Sequence, residues 1–304
     1  MIKARIIGHF LNDRDRYNSY SLVQACQRKN IEIEEVVSIH ALMDRRSIAS
    51  DPNDVRITNV DLTFFSDPLF YSPLNVIMTQ ELDFIKQTSK VFINDVDSHR
   101  DVSNKILMYD MLSAANVNIP RTEYVNIDAE DDIINEVVNN LGGYPVVIKA
   151  AIGAMGTNVN KCNNLQEIRE QITKLSSSFF HTEFIIQEYI DIGGFTICAR
   201  VIGNDIFPRF TLGSPYIENN FKSNILSGRS YIACKVTPEL RYICNKAMSA
   251  TGLDVARIDI FINNGKLSIC EVNSLGSFLG SEMAWNEYIS DRVVDLSLNK
   301  LDKL

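Results

Sequence analysis

Three short segments of the 304-residue chain combine residue types and spacings that suit the binding of phosphate and a hard cation. In the first, the apolar run Tyr144-Pro145-Val146-Val147-Ile148 leads into Lys149, and Gly153-Ala154-Met155-Gly156 follows at once. Two glycines let backbone N–H groups approach a phosphate closely, and a lysine at a strand end adds the charge. The same letters also suit a plain β-hairpin turn with a solvated lysine. In the second segment, two apolar runs flank Asn263-Asn264-Gly265 and carry Asp259 on one side, Glu271 and Asn273 on the other. Carboxylates and an amide oxygen on paired strands suit Mg²⁺, which takes one or two carboxylates and fills its shell with nucleotide phosphates. A polar solvent face is the other reading, although Glu271 lies in an apolar run, where a carboxylate needs a partner. In the third, Gln187-Glu188-Tyr189-Ile190 closes an apolar run, and Arg200 follows beyond the Gly193-Gly194 break. Extended backbone there could read an adenine edge; a strand-end Glu can equally serve solubility.

A shared metal makes a demand on the second segment. Residues directly opposed in a hairpin have a constant index sum, and a two-residue Asn264-Gly265 turn puts Asp259 and Glu271 out of phase, on opposite faces. An odd-length connection or a β-bulge is therefore required if both carboxylates are to share a face.

The elements that must position these residues alternate early in the chain. Strands are expected at Ala4–Ile7, Glu32–Ile39, Leu62–Phe65 and Val91–Ile93, with a helix over Ser19–Arg28, which together describe a small open α/β domain. One helix is expected from Ser98 to Ala115, ended before Pro120, and another over Ala129–Leu141, broken by Gly142-Gly143. From Phe184 onward, β-branched runs at 184–190, 196–202 and 254–262 read as a largely antiparallel sheet, with a helix over Pro238–Ala250 covering one face.

A formal charge of −8 disfavours a nucleic-acid binder, and no apolar run is long enough to span a membrane or resembles a signal peptide. The six cysteines form no Cys-x-x-Cys pair and the four histidines no His-x-x-x-His pair, so reduced thiols, a cytoplasmic location and no metal site on histidine are expected.

Taken in order, Lys105, Asn118-Ile119-Pro120, Lys149, Gly153-x-x-Gly156, Gln187–Ile190, Arg200, Lys222-Ser223-Asn224, Asp259 and Glu271-Val272-Asn273 resemble the ATP-grasp superfamily, in particular its ribosomal-protein-S6 glutamate-ligase-like (RimK-like) branch. The likeness covers about residues 91–280 and treats the first ninety as a generic pre-ATP-grasp domain. It implies an α/β (α+β) ATP-grasp fold in three parts: a pre-ATP-grasp α/β domain at 1–95, a central subdomain with the glycine loop at 96–185, and an antiparallel-sheet C-terminal subdomain with the Mg²⁺ site at 186–304. It also implies ATP-dependent carboxylate–amine ligation through an acylphosphate. Lys105 and Lys149 would hold phosphates and the Gly153–Gly156 loop would cover them. Gln187, Glu188, Tyr189 and Ile190 would form the adenine site, Asp259, Glu271 and Asn273 would ligate Mg²⁺ or Mn²⁺, and Arg200 and Asn224 would face the transferring phosphoryl group.

The chain departs from that pattern on the acceptor side. Cys198 stands where the branch usually has Asp two before the arginine, Leu226-Ser227-Gly228 replaces His-Arg-Gly, and Leu275 replaces a proline. Arg229, with Lys222, is expected to add positive charge there and to clamp an anionic substrate through its planar fork; an arginine that only points to solvent or pairs with a surface acid is the other reading. An amino acid or peptide substrate is implied, with a polypeptide acceptor and a homo-oligomer left open. A nucleotide-binding regulatory protein without turnover is the alternative.

Overall fold

The computed structural model describes residues 1–8, 13–38, 41, 57–66, 83–152, 159–179, 182–192, 195–212, 231–263 and 265–304. Gly153, Gly156, Asn224 and Arg229, with the Lys222–Arg229 segment, lie outside the described residues.

The first sheet is parallel, in the order β2-β1-β3-β4, built from β1 (Lys3–Gly8), β2 (Glu32–Val37), β3 (Val60–Ser66) and β4 (Ser89–Ile93). Helix α1 (Asp13–Arg28) starts six residues earlier than expected, because the polar stretch before Ser19 offers no apolar stripe to read. The expected single helix from Ser98 is two: α2 (Val96–Ser103) and α3 (Lys105–Ala114). Asn104 ends the first and caps the second, its side chain accepting from Ile106 N, so an unbroken apolar period runs across a real break.

A second sheet has the antiparallel order β5-β8-β6-β7, from β5 (Thr122–Asn126), β6 (Val146–Ala150), β7 (Val159–Cys162) and β8 (Glu183–Glu188). Helices α4 (Asp131–Asn140) and α5 (Leu165–Phe179) share its core, through Ile134, Val138, Ile168, Ile172 and Leu175. The third sheet, β11-β10-β9-β12-β13, is antiparallel and contains β9 (Phe195–Ile202), β10 (Asp205–Leu212), β11 (Tyr231–Ala233), β12 (Val255–Asn263) and β13 (Lys266–Asn273).

The third sheet has two unlike faces because its strands alternate. Ile197, Ala199, Val201, Ala256, Ile258 and Ile260 form an apolar face buried with α3 and with α6 (Pro238–Thr251), which Thr237 caps and Gly252 ends in the left-handed region. The other face carries Cys198, Arg200, Arg209, Arg257 and Asp259. After β13 the chain forms a short helix α7 (Leu279–Trp285), then returns to the first sheet through α8 (Ile289–Leu301), whose Ile289, Val293 and Val294 pack in one core with Leu22 and Ala25 of α1. Among the described residues no helix is long and apolar enough to cross a membrane. The six cysteines are free, and four of them are buried. His99 is buried against Phe65, and burial pushes its imidazole down to about 3, away from any charged role.

Candidate active site

Asp259 and Glu271 stand directly opposite each other in the β12–β13 ladder and so share a face. The register closes at Asn263 opposite Lys266, which is the two-residue connection, and then slips by one between Asp259 and Ile260, opposite Cys270. The expected bulge is therefore present, and Cys270 is the extra residue that brings the carboxylates into phase. Asn273, two residues beyond Glu271, lies opposite Arg257 on that face.

Both carboxylates already face cations. Lys105 Nζ, at the start of α3, lies 3.1 Å from Glu271 Oε1, and Arg257 donates to Asp259 Oδ2 at 2.5 Å. Burial works against the charged form of Glu271, but Lys105 and Arg257 outweigh it and hold its carboxyl below the usual range. The backbone fixes Lys105: its N–H donates to Ala151 O at 2.8 Å, and Asn104 bridges to Ile152, just before the glycine loop.

Lys149, on β6, is buried. Its Nζ donates to Gln187 Oε1 at 2.7 Å and to Tyr109 Oη at 3.1 Å, and Tyr109 in turn donates to Cys270 O at 2.5 Å. Tyr109 thus ties the lysine of the second sheet to the bulge of the third. Sequence reasoning missed it because it reads as one more apolar position of a helix. Gln187 is oriented from its other end by Thr122, its Nε2 donating at 2.8 Å. Glu188 turns outward to Arg121, accepting from its backbone N and its Nε, each at 2.8 Å, while Lys161 lies over the Tyr189 ring, 4.0 Å from its centre. Tyr189 and Ile190 continue half-buried beyond the strand end.

Arg200 is fully buried and paired in register with Arg257. Its Nη1 donates to Leu275 O and its Nη2 to Ser277 O at 2.9 Å. Burial, with Arg257 and Arg209 close by, pushes its guanidinium down to about 9. The loop supplying those carbonyls is clamped from α1: Asn18 Nδ2 donates to Gly276 O at 3.0 Å, and Asn18 Oδ1 accepts from Phe278 N at 2.9 Å. Asn94, fully buried at the end of β4, similarly bonds the backbone of Asp254, Val255 and Ser274. Neither asparagine carries a sequence signal, because their partners are backbone groups 160 or more positions away. Arg257 had one available: it stands two residues before Asp259 on an expected strand, hence on its face.

Among the described residues no three His, Cys, Asp or Glu side chains cluster; the donor set is two in-register carboxylates and an amide, with Asn273 Nδ2 buried and without an acceptor among the described residues. Two carboxylates and an amide oxygen beside buried lysines fit a cation that shares its shell with phosphate oxygens.

This arrangement, a buried lysine on one antiparallel sheet and a second at a helix start beside the acids of another antiparallel sheet, is the ATP-grasp fold. Residues 102–296 match the model of the RimK-like ATP-grasp domain, and the chain belongs to that family. It is 26% identical over 300 residues, 95% of this chain and 94% of the other, to a protein of Photobacterium profundum named "Probable alpha-L-glutamate ligase". A Saccharophagus degradans protein of the same name is 24% identical over 284 residues, 92% of this chain and 90% of its own. Among solved structures, the D-alanine–D-alanine ligase of Bacillus anthracis is similar with a TM-score of 0.69 at 14% identity, covering 100% of this chain and 98% of the other. The RimK domain ATP-grasp protein of Sphaerobacter thermophilus gives 0.68 at 13%, covering 97% and 98%.

Proposed function

We propose that this protein is an ATP-dependent carboxylate–amine ligase that forms an amide bond through an acylphosphate, with an amino acid or peptide as a substrate. The observation that carries the reading is the linked pair of buried lysines: Lys149 reaches the Cys270 bulge through Tyr109, and Lys105 reaches Glu271. A phosphate chain between the two sheets would meet both ammonium groups beside two carboxylates. Asp259, Glu271 and Asn273 would hold Mg²⁺, or Mn²⁺, which supplies charge neutralisation at the phosphoryl oxygens.

In this reading Lys105 and Lys149 bind phosphate oxygens, and the Gly153–Gly156 loop covers them. The backbone beyond Gln187, through Glu188, Tyr189 and Ile190, borders the adenine. The substrate carboxylate oxygen attacks the γ-phosphorus and ADP leaves; the amine then attacks the acyl carbon and inorganic phosphate leaves. Positioning and electrostatics supply most of the catalysis in such a transfer, which suits a site built from fixed cations. Arg200 faces the phosphoryl group together with Asn224, and Arg229 recognises an anionic substrate. The parts at 1–95, 96–185 and 186–304 would form the walls of the cleft, in the cytoplasm.

Incubating the protein with ATP, Mg²⁺ and pools of amino acids and peptides, and following phosphate release and product mass, tests the reaction and identifies both substrates. ATP with Mg²⁺ should also raise the melting temperature, since a ligand at about 100 times its Kd adds roughly 2.7 kcal/mol, and Lys149→Ala should shrink that shift. A folded Lys149→Ala variant with unchanged nucleotide affinity removes Lys149 from the phosphate site.

A further inference from the structure

We propose that Arg209 selects the acid substrate, its guanidinium holding the carboxylate that is to be phosphorylated. The proposal rests on the ligase reading above and deepens its acid side. Three observations on the polar face of the third sheet lead to it.

The first is order across the sheet. Glu271 on β13, Asp259 on β12, Cys198 on β9 and Arg209 on β10 are directly opposed in turn, so their side chains leave one face in a single row. Lys105 joins the row at its β13 end through Glu271, and Lys149 joins it there through Tyr109 and Cys270. Arg209 stands at the opposite end, two strands beyond Asp259 and about 10 Å from it between backbones. In a phosphoryl transfer the attacking oxygen lies across the phosphorus from the leaving ADP, roughly in line with it. A nucleotide held by the two lysines therefore puts the attacking carboxylate toward β9 and β10, between the phosphoryl group and Arg209.

The second observation is preorganisation. Arg209 is buried, and its Nη1 donates to Thr211 Oγ1 at 2.9 Å. Helix α7 lies against the guanidinium: a Cβ on Gly280 would stand 3.0 Å from Nη2, 3.1 Å from Cζ and 3.3 Å from Nε. A glycine is what lets the helix backbone come so close. Helix α7 is itself pinned to β10 by Trp285, whose Nε1 donates to Pro208 O at 2.9 Å, and to α1 by Glu282, which accepts from Tyr17 Oη and Ser21 Oγ. A guanidinium held between a strand and a fixed helix gives up little further freedom on binding a ligand.

The third observation is the composition of the row. Its two acids lie at the nucleotide end and its one cation at the other. Cys198, between Asp259 and Arg209, is the shortest side chain of the four and carries no charge, so it adds neither bulk nor repulsion where the carboxylate would lie. A planar guanidinium takes a carboxylate through two parallel hydrogen bonds, which fixes the direction of its oxygens as well as its place.

The test uses hydroxylamine as the amine, because it converts an acylphosphate into a hydroxamate with release of phosphate, whatever the natural amine is. The common amino acids and a set of dipeptides are offered singly as the acid with ATP and Mg²⁺, and the acid giving most hydroxamate is carried into the variants. Arg209→Met should raise the KM for that acid about tenfold or more, the scale of a lost charge-assisted pair, while the calorimetric Kd for ATP with Mg²⁺ stays at the wild-type value. Arg209→Lys keeps the charge without the fork and should recover only part of the loss. Gly280→Ala keeps the arginine and displaces its guanidinium, so it should raise the same KM and leave the nucleotide Kd in place; it decides the matter if the Arg209 variants do not fold. An unchanged KM for the acid in a folded Arg209→Met, or in Gly280→Ala when the Arg209 variants fail, overturns the proposal and leaves the ligase reading standing. A loss confined to nucleotide affinity does the same, since it would put Arg209 on the nucleotide. A wild-type protein that yields no hydroxamate from any acid overturns the ligase reading, and the proposal with it.

Discussion

Arg5 and Arg200 are both fully buried, one in the parallel sheet and one in the antiparallel sheet, and their surroundings differ in kind. Arg5 is finished: its Nε meets Glu35 at 2.6 Å, Nη1 meets Thr88 Oγ1 at 2.9 Å, and Nη2 meets Thr58 O at 2.5 Å. Among the described residues Arg200 has two carbonyls, no carboxylate bonded to it, an arginine as its register neighbour and an Nε without an acceptor. Burial alone does not separate a structural arginine from a chemical one; the completeness of its partners does.

The sharpest break of that contrast is to replace both arginines with methionine. Arg5→Met removes one partner of a largely buried pair and all three hydrogen bonds of the Arg5 guanidinium, so it should cost about 3 kcal/mol or more. It should leave the nucleotide-dependent thermal shift intact. Arg200→Met should cost markedly less stability in urea unfolding, since among the described residues Arg200 bonds two backbone carbonyls and no acid, yet lower ATP-dependent phosphate release about a hundredfold or more, as the loss of a preorganised donor does. Equal stability losses for the two would erase the distinction.

A second test concerns how the two regions handle ionisable groups. The region of the first sheet pairs Arg5 and keeps His99 neutral, whereas the polar face of the third sheet sets Arg200, Arg209 and Arg257 against Asp259 and Glu271 among the described residues. His99 is held down to about 3 by burial. The unfolded chain, with its histidine near 6.5, binds the extra proton between those values, so stability is complete above pH 6.5 and declines as pH falls. Linkage puts the loss at about 2 kcal/mol by pH 5. Urea titrations at pH 7.5 and pH 5 should differ by that much more in the wild type than in His99→Leu; parallel curves would mean that His99 is charged in the native protein.

Asn18→Ala should cost about 1.5 kcal/mol, because it leaves Gly276 O and Phe278 N without their side-chain partner. If the loop matters chiefly for holding Arg200, kcat should fall more than the KM for ATP rises. A loss of stability with kcat untouched would make the clamp purely architectural.

These residues also mark how far the sequence could be read. Lys149 was legible because a lysine closing an apolar strand before two glycines is a local pattern. The carboxylate pair was legible through parity, which demanded a bulge without locating it at Cys270. Helices α5 and α8 carry readable periods, Leu165, Ile168, Ile172 and Leu175 in one and Ile289, Val293 and Val294 in the other, but neither holds a residue of the ordered motifs, which lie mostly on strands. Tyr109, Asn18 and Asn94 could not be found that way: each acts on a group supplied by a distant part of the chain, and nothing in their immediate neighbours distinguishes them from core or helix-surface positions.

A third arginine gives the smallest expected effect and the finest test of the contrast. Arg121 bonds Glu188 with a side chain that is 57% exposed, so water and salt compete for both partners. Arg121→Ala should cost less than about 1 kcal/mol, a difference that fades in 1 M salt. The backbone beyond Gln187 is held by the β8 ladder and by Glu188 N donating to Arg121 O at 3.0 Å, a bond that survives the substitution. Nucleotide affinity should therefore change less than about twofold, since that backbone and not the Arg121 guanidinium borders the adenine in the proposed site. A tenfold weaker Kd for ATP, with stability preserved, would show that an exposed pair sets the adenine edge. The rule drawn from Arg5 and Arg200 would then need a further condition, the distance of the pair from the ligand.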